Sequence, residues 1–325
     1  MNKTAVVLFN LGGPDSLEAI EPFLMNLFSD KDIFKIPVGQ KLFAKIISNR
    51  RTQKVQKQYE LIGGKSPINK WTELQRQMLE KELRNEINSV DVFTAMRYWR
   101  PTTDETAKKV HDGNYSRIIL LPLYPHFSAS TTNSSYKEWI RQYPADTSKH
   151  ILVNNYYKHD KYIIAINERI DEALLKFPEE LRDKIQLVFS AHGTPISMVK
   201  KGDPYSHQIR ETVELIMQKR NNSHKYYLCF QSKVGPIQWL KPSTDQMIEN
   251  LAKEGHKNLL IIPISFTSDH IETLFELDID YRHIAEKVGI VNYIVMKGLN
   301  DSPTFISTLK VIVLNIINNN YKVIK

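Results

Sequence analysis

Leu259–Tyr281 reads L-L-I-I-P-I-S-F-T-S-D-H-I-E-T-L-F-E-L-D-I-D-Y, and the change of pattern within it decides the fold class. Leu259–Ile264 is an unbroken apolar run of strand length, the pattern of a strand covered on both faces. Phe266–Tyr281 instead places Asp269, His270, Glu272, Glu276 and Asp280 in one short segment. Read as a helix, it sets Glu272, Glu276 and Asp280 at i, i+4 and i+8, one above another on a single face. Like charges so stacked repel by ~0.2–0.5 kcal/mol per pair, so the row requires solvent or a cation. The plain reading is a solvated acidic face. Its place directly after a strand, where open α/β sheets hold their ligands, argues for a ligand.

The same rhythm runs through the whole chain. Strands are expected at Thr4–Phe9, Val90–Met96, Arg117–Leu123 and Ile151–Asn154, then at Ile185–Ser190, Tyr226–Gln231, Leu259–Ile264 and Val291–Val295. Between them, helical spacing spans Leu17–Phe28, Gln40–Leu61, Ser66–Leu83, Pro101–Val110 and Ser130–Tyr143. It returns at Lys161–Lys176, Tyr205–Lys219, Ser243–Glu254 and Pro303–Asn318. Strands alternating with helices predict parallel sheets covered on both faces, so the class is α/β. The halves also resemble each other: V-L-F-N-L-G-G-P at 7–14 beside V-F-S-A-H-G-T-P at 188–195, and R-I-I-L-L-P-L at 117–123 beside N-L-L-I-I-P-I at 258–264. Two similar doubly wound domains follow, 1–157 and 158–325, the second carrying the terminal helix 303–318. A cleft between them would face the strand ends, where ligands are expected.

A length of 325 residues suits two domains. A hydrophobic content of 42% with 25% charged residues is that of an ordinary globular protein, which excludes the disordered and membrane-spanning classes. The N-terminal apolar run is too short for a signal peptide. Cys229, the one cysteine, rules out an internal disulfide, a CxxC metal site and a cysteine-held cluster, and a reducing cytoplasmic location is expected. The formal charge of +8 fits an anionic substrate, a nucleic acid or an anionic membrane. Lysines are spread over the chain with no basic tail, so no nucleic-acid partner is expected.

Several motifs are excluded by their spacing. Gly64-Lys65-Ser66 imitates the end of a phosphate-binding loop, but its first glycine would fall at Tyr59 and the segment follows a helix. Gly12-Gly13-Pro14 lacks the G-x-G-x-x-G order, and neither G-x-S-x-G nor H-E-x-x-H occurs. The positive candidate is His192, on the turn after strand Ile185–Ser190, with Gly193 leaving the backbone open to a ligand. His192 facing Glu272 would offer one imidazole and one or two carboxylates, a set suited to a borderline divalent metal such as Fe2+. Two or three ligands are few for a structural site and suit one that hands its metal on. In the first half Arg50, Arg51, Tyr59 and Ser66 lie on or just after one helix, and Arg97-Tyr98 and Arg100 end a strand. Guanidinium forks suit a substrate bearing carboxylates. Phe23, Leu24, Leu27, Phe28, Phe34, Leu42, Phe43 and Ile46 are core or a greasy rim, which admits a weak peripheral membrane contact. Trp239 is a large flat surface in a loop or a core residue.

S-A-H-G-T-P at Ser190–Pro195, C-F-Q-S-K-V-G-P-I-Q-W-L at Cys229–Leu240 and P-I-S-F-T-S-D-H-I-E-T-L-F-E-L-D at Pro263–Asp278 resemble ferrochelatases. So do L-F-N-L-G-G-P-D-S, Q-Y-E-L-I-G-G-K-S-P-I and M-R-Y-W, and the resemblance runs from about residue 5 to 310. It implies two similar Rossmann-like domains and insertion of Fe2+ into a porphyrin dicarboxylic acid: protoporphyrin IX to protohaem, a lyase-class step of haem biosynthesis. By position, His192 matches the active-site histidine and Glu272 its paired carboxylate, together the metal-handling pair. Glu276 and Asp280 continue the acidic row, and Asp269-His270 lead into it. Arg51, Tyr59 and Ser66 match porphyrin-contacting positions, and Arg97, Tyr98 and Trp239 pocket-lining ones. Leu11 stands where some members have methionine, and Phe127 where some have tyrosine. Some members carry a C-terminal [2Fe–2S] cluster. This chain lacks those cysteines, so neither a cluster nor any permanently bound cofactor is expected, with Fe2+ and porphyrin as the partners.

That chemistry agrees with the residues. Metallation expels two pyrrole protons and so needs a near-neutral base, which His192 supplies. Carboxylates can replace the water shell of Fe2+ stepwise, which makes the acidic row a route for metal entry or proton exit. The rival readings are a coproporphyrin chelatase, a non-catalytic porphyrin- or haem-binding protein, and a metal-independent enzyme using His192 as a base. Oligomeric state is left open.

Overall fold

The computed structural model describes residues 3–318 apart from 35, 37 and 233–236. It forms two compact units. In the first, β1 (Thr4–Asn10) is buried at all seven positions, as its β-branched and apolar sequence requires of a central parallel strand. It lies between β2 (Val90–Met96) and β3 (Arg117–Pro122), and β4 (His150–Leu152) forms the far edge, for an order β2-β1-β3-β4. Every pairing is parallel, with Thr4 opposite both Val90 and Arg117. The helices of this unit are α1 (Ile20–Phe28), α2 (Gln40–Glu60), α3 (Ile68–Arg84), α4 (Thr103–Asp112) and α5 (Thr132–Gln142). Thr102 and Glu105 cap α4 reciprocally, which fixes where that helix begins.

The second unit, residues 157–299, repeats the plan. β5 (Gln186–His192) lies between β6 (Tyr226–Gln231) and β7 (Asn258–Pro263), and β8 (Asn292–Val295) flanks β7. The order β6-β5-β7-β8 matches that of the first sheet, and all its pairings are parallel. Helices α6 (Asp160–Leu174), α7 (Ile196–Lys200), α8 (Tyr205–Lys219), α9 (Thr244–Lys253) and α10 (Tyr281–Lys287) complete it. The α/β class and the pair of Rossmann-like sheets are therefore as the sequence implies.

Three features differ from expectation. The terminal helix α11 (Pro303–Ile317) belongs to the first unit, not the second. It buries Phe305, Ile306, Leu309, Ile312, Val313 and Ile316, each worth ~1.5–3 kcal/mol when fully covered. Lys310 reaches Glu82 of α3 and Glu86 just beyond that helix at 3.1 and 3.2 Å, and Gln75 donates to the Asn300 carbonyl at 2.9 Å. An amphipathic pattern names a buried face but not the sheet that buries it. Second, β5 continues through Ala191 to His192, paired with Gln231 of β6, where the sequence places a turn. Third, Glu272–Asp280 forms a π-helix, not an α-helix. The Tyr281 N–H donates to the Glu276 carbonyl five residues back, and the Tyr293 hydroxyl takes the Leu277 carbonyl at 2.8 Å. Among the described residues no helix is long and apolar enough to cross a membrane.

Candidate active site at the end of the central strand of the second unit

The strand order places a topological switch beside β5, and its carboxyl end is where a ligand is expected in such a sheet. His192 is the last residue of that strand. Its backbone N–H donates to Ser265 Oγ at 2.9 Å, which fixes the residue to the loop after β7. Gly193 follows because nothing larger fits: a Cβ there would lie 2.6 Å from the Gln231 carbonyl oxygen and 3.3 Å from Trp239 Cε3. Beyond it, Pro195 bridges Trp239 and the Leu240 N–H donates to the Thr194 carbonyl, holding Trp239 against the turn. Lys233–Pro236, part of the quoted Cys229–Leu240 string, lie outside the described residues.

The acidic segment arrives from β7. Asp269 is buried and its Oδ1 accepts from the Gly298 N–H at 3.0 Å and the Thr273 hydroxyl at 3.1 Å, so it pins the start of the π-helix. His270, also buried, stacks edge-on with Phe266 and has Nε2 3.8 Å from Glu272 Oε1. Glu272 Oε2 meets His192 Nδ1 at 2.8 Å. The carboxylate is acceptor-only, so it draws the ring hydrogen to Nδ1 and leaves the lone pair of neutral His192 on Nε2. With 44% of its side chain exposed, the imidazole is open to a ligand.

The electrostatics follow from these contacts. Burial disfavours the imidazolium of His192, but the charge and hydrogen bond of Glu272 outweigh it, and its pKa is raised above the ordinary histidine value. Burial would raise the Glu272 carboxyl, yet His192 and His270 hold it well below the usual range. Glu276 goes the other way: burial and the neighbouring Glu272 charge push it up.

Ser232, the residue after β6, joins these two carboxylates and is the part of the site that sequence reasoning missed. Its hydroxyl is 3.0 Å from Glu272 Oε2 and 2.6 Å from Glu276 Oε2, and its N–H donates to Glu276 Oε1 at 2.9 Å. Its φ of 64° is left-handed, a conformation that costs a residue with a Cβ ~1–2 kcal/mol. Tyr281 also donates to Glu276 Oε1, at 3.0 Å. Asp280, the third member of the row, is exposed and joins none of this. Among the described residues no three His, Cys, Asp or Glu side chains gather closely enough to hold a metal ion, so His192 and Glu272 stand as a pair.

In the first unit, Arg51 is exposed on α2 with its guanidinium 5.6 Å from the centre of the Phe28 ring. Tyr59 is buried on the same helix, and Ser66 is buried with Oγ packed against Gly13. Leu11 is half-buried against the sheet, its carbonyl accepting the Tyr98 N–H. The polar ends of Arg97 and Tyr98 are committed inward. Asp30 accepts from Arg97 at 2.9 Å, from the Tyr98 hydroxyl at 2.7 Å and from Ser134 at 2.7 Å. The guanidinium of Arg97 and the hydroxyl of Tyr98 are thus both held by Asp30.

Residues 3–316 match the family model described as Ferrochelatase. A ferrochelatase of Geotalea uraniireducens (strain Rf4) is 46% identical over 311 residues, 94% of this chain and 96% of that protein. One of Gloeobacter violaceus (strain ATCC 29082 / PCC 7421) is 43% identical over 321 residues, 97% of this chain and 98% of its own. Among solved structures, SirB from Bacillus subtilis with Fe3+ aligns over 98% of this chain and 97% of its own, with a TM-score of 0.56 at 13% identity. The sirohydrochlorin chelatase SirB from Bacillus subtilis subspecies spizizenii in complex with cobalt aligns over 98% and 96%, with a TM-score of 0.51 at 10% identity. At such identities the likeness is one of fold.

Proposed function

This chain belongs to the ferrochelatase family, and from that premise we propose that it inserts Fe2+ into protoporphyrin IX, giving protohaem and releasing two protons. The observation that carries the reading is the 2.8 Å contact between His192 Nδ1 and Glu272 Oε2. It fixes one tautomer and presents Nε2 as a base, its pKa raised by the Glu272 carboxylate, to a pyrrole N–H. Fe2+ is a substrate here, and the borderline donor set of one imidazole and one carboxylate suits its brief capture. Glu276, on the same hydroxyl as Glu272, stands next in line to exchange water for carboxylate oxygen or to take up a released proton. Asp280, exposed at the end of the row, is proposed only as a supporting charge.

Porphyrin carboxylates are assigned to Arg51, which is exposed on α2, with Tyr59 and Ser66 as minor contacts. In the second unit, Trp239 and His270 are proposed to bound the flat apolar ring. The reaction so written is of the lyase class, belongs to haem biosynthesis and needs no resident cofactor. The test is anaerobic insertion of Fe2+ or Zn2+ with protoporphyrin and coproporphyrin side by side, using wild type, His192→Ala and Glu272→Gln. The reading expects protoporphyrin to be metallated and both variants to be impaired. Undiminished activity in both variants overturns it, and metallation confined to coproporphyrin replaces the substrate.

A further inference from the structure

Ser232 carries no expected role, yet it touches both carboxylates of the acidic pair. Its hydroxyl meets Oε2 of Glu272 and Oε2 of Glu276, while its own N–H meets the other oxygen of Glu276. Glu276 is thereby gripped by both oxygens at one residue. Glu272 has Oε2 occupied by His192 and Ser232, with Gln231 Nε2 at 3.5 Å, while its Oε1 has His270 Nε2 3.8 Å away and is the less engaged oxygen toward a cation. The hydroxyl has one hydrogen to share between two carboxylates that repel each other, and without it they would move apart. The left-handed φ of 64° is one that glycine adopts without strain, so the serine side chain is held there against the backbone's own preference.

We propose that Ser232 is a positioning residue for the metal step: it holds Glu272 and Glu276 convergent so that a divalent cation passes between them to His192. The inference rests on the chelatase reading and assigns the hydroxyl to the metal substrate, not to the porphyrin. Glu276 binding at Ser232 and Tyr281 together sets where the cation is first received. The role acts through the two acids, and Ser232 itself performs no proton transfer in it.

The test uses the full chain and steady-state metallation under anaerobic conditions, varying Fe2+ or Zn2+ at fixed porphyrin and then the reverse. Ser232→Gly keeps the backbone conformation and the N–H to Glu276 but deletes the hydroxyl. It is expected to raise the metal KM about tenfold, as loss of one hydrogen bond to a charged group does, with the porphyrin KM unchanged. Ser232→Cys, of similar size with a weak donor, is expected to fall between. Thermal unfolding of Ser232→Gly is expected to be unchanged or higher in Tm, because strain is removed. A metal KM equal to wild type, or equal rises in both KM values, overturns the assignment. A wild type that metallates no porphyrin overturns the chelatase reading and this inference with it.

Discussion

Replacing Asp30 by Asn tests whether Arg97 and Tyr98 serve the fold or the substrate. The Asp30 side chain is fully buried and that of Arg97 is 10% exposed, so the pair is shielded from water. Four donors converge on the carboxylate: Arg97, the Tyr98 and Ser134 hydroxyls, and the Asp32 N–H at 2.7 Å. Removing one member of a buried ion pair costs ~3–5 kcal/mol because the other charge is stranded. Asn keeps the shape and one acceptor oxygen, so the lower end, ~3 kcal/mol, is expected. For a unit of this size each kcal/mol moves the midpoint by ~2–4 °C, so Tm should fall by ~6–12 °C in calorimetry at neutral pH. The double variant Asp30→Leu, Arg97→Met should recover part of that, since it leaves no unpaired charge. The acid dependence has a definite sign. Burial would raise the Asp30 carboxyl, but the Tyr98 hydroxyl and Arg97 hold it below the usual carboxylate range. Its contribution is therefore full above the ordinary carboxylate pKa and is lost as pH falls through the lowered native value. Asp30→Asn should flatten this acid limb. A Tm shift under ~2 °C together with loss of porphyrin binding would refute the reasoning and return Arg97 to the substrate.

Three further outcomes are expected. His192→Ala should lower metallation by ~10²–10⁴, the usual worth of a general base, while spectral titration still shows porphyrin binding. Glu272→Gln should release the raised pKa of His192, so the acid limb of the metallation profile moves to lower pH, with a lower plateau because the tautomer is no longer fixed. Gly193→Ala should cost ~1–3 kcal/mol in urea unfolding, because the new Cβ meets a backbone oxygen that cannot yield, and should displace His192 enough to reduce activity.

How much of this was legible in the sequence depended on whether a neighbour in space was needed to read it. The strands Val90–Met96 and Tyr226–Gln231 were readable to the residue, since runs of β-branched and aromatic residues between turn signals favour the extended chain. His192 and Glu272 were legible as a pair because each follows a strand, and parallel strands in one sheet end on one side. Ser232 was not, because a serine after a strand carries no signal until two acids from another segment close on it. The committed state of Arg97 was equally hidden: its partner Asp30 lies far back in the chain. The π-helix could not be told from an α-helix by spacing, because residues four apart share a face closely enough in either. The Tyr293 hydroxyl, from a strand outside the segment, donates to the Leu277 carbonyl within it, a contact that spacing along the segment does not report.

The return of α11 to the first unit sets an order for synthesis. Residues 157–299 form one uninterrupted unit, whereas the first unit is split between 3–156 and 300–318. A chain leaving the ribosome therefore completes the later-encoded unit first, while the earlier one waits for Phe305, Leu309 and Ile312 to cover its apolar face. During that interval the nascent first unit exposes a surface that a chaperone would recognise. Nascent chains stalled with residue 299 clear of the ribosomal exit tunnel but Phe305–Ile316 still inside it should then hold a folded histidine site and a protease-sensitive N-terminal half.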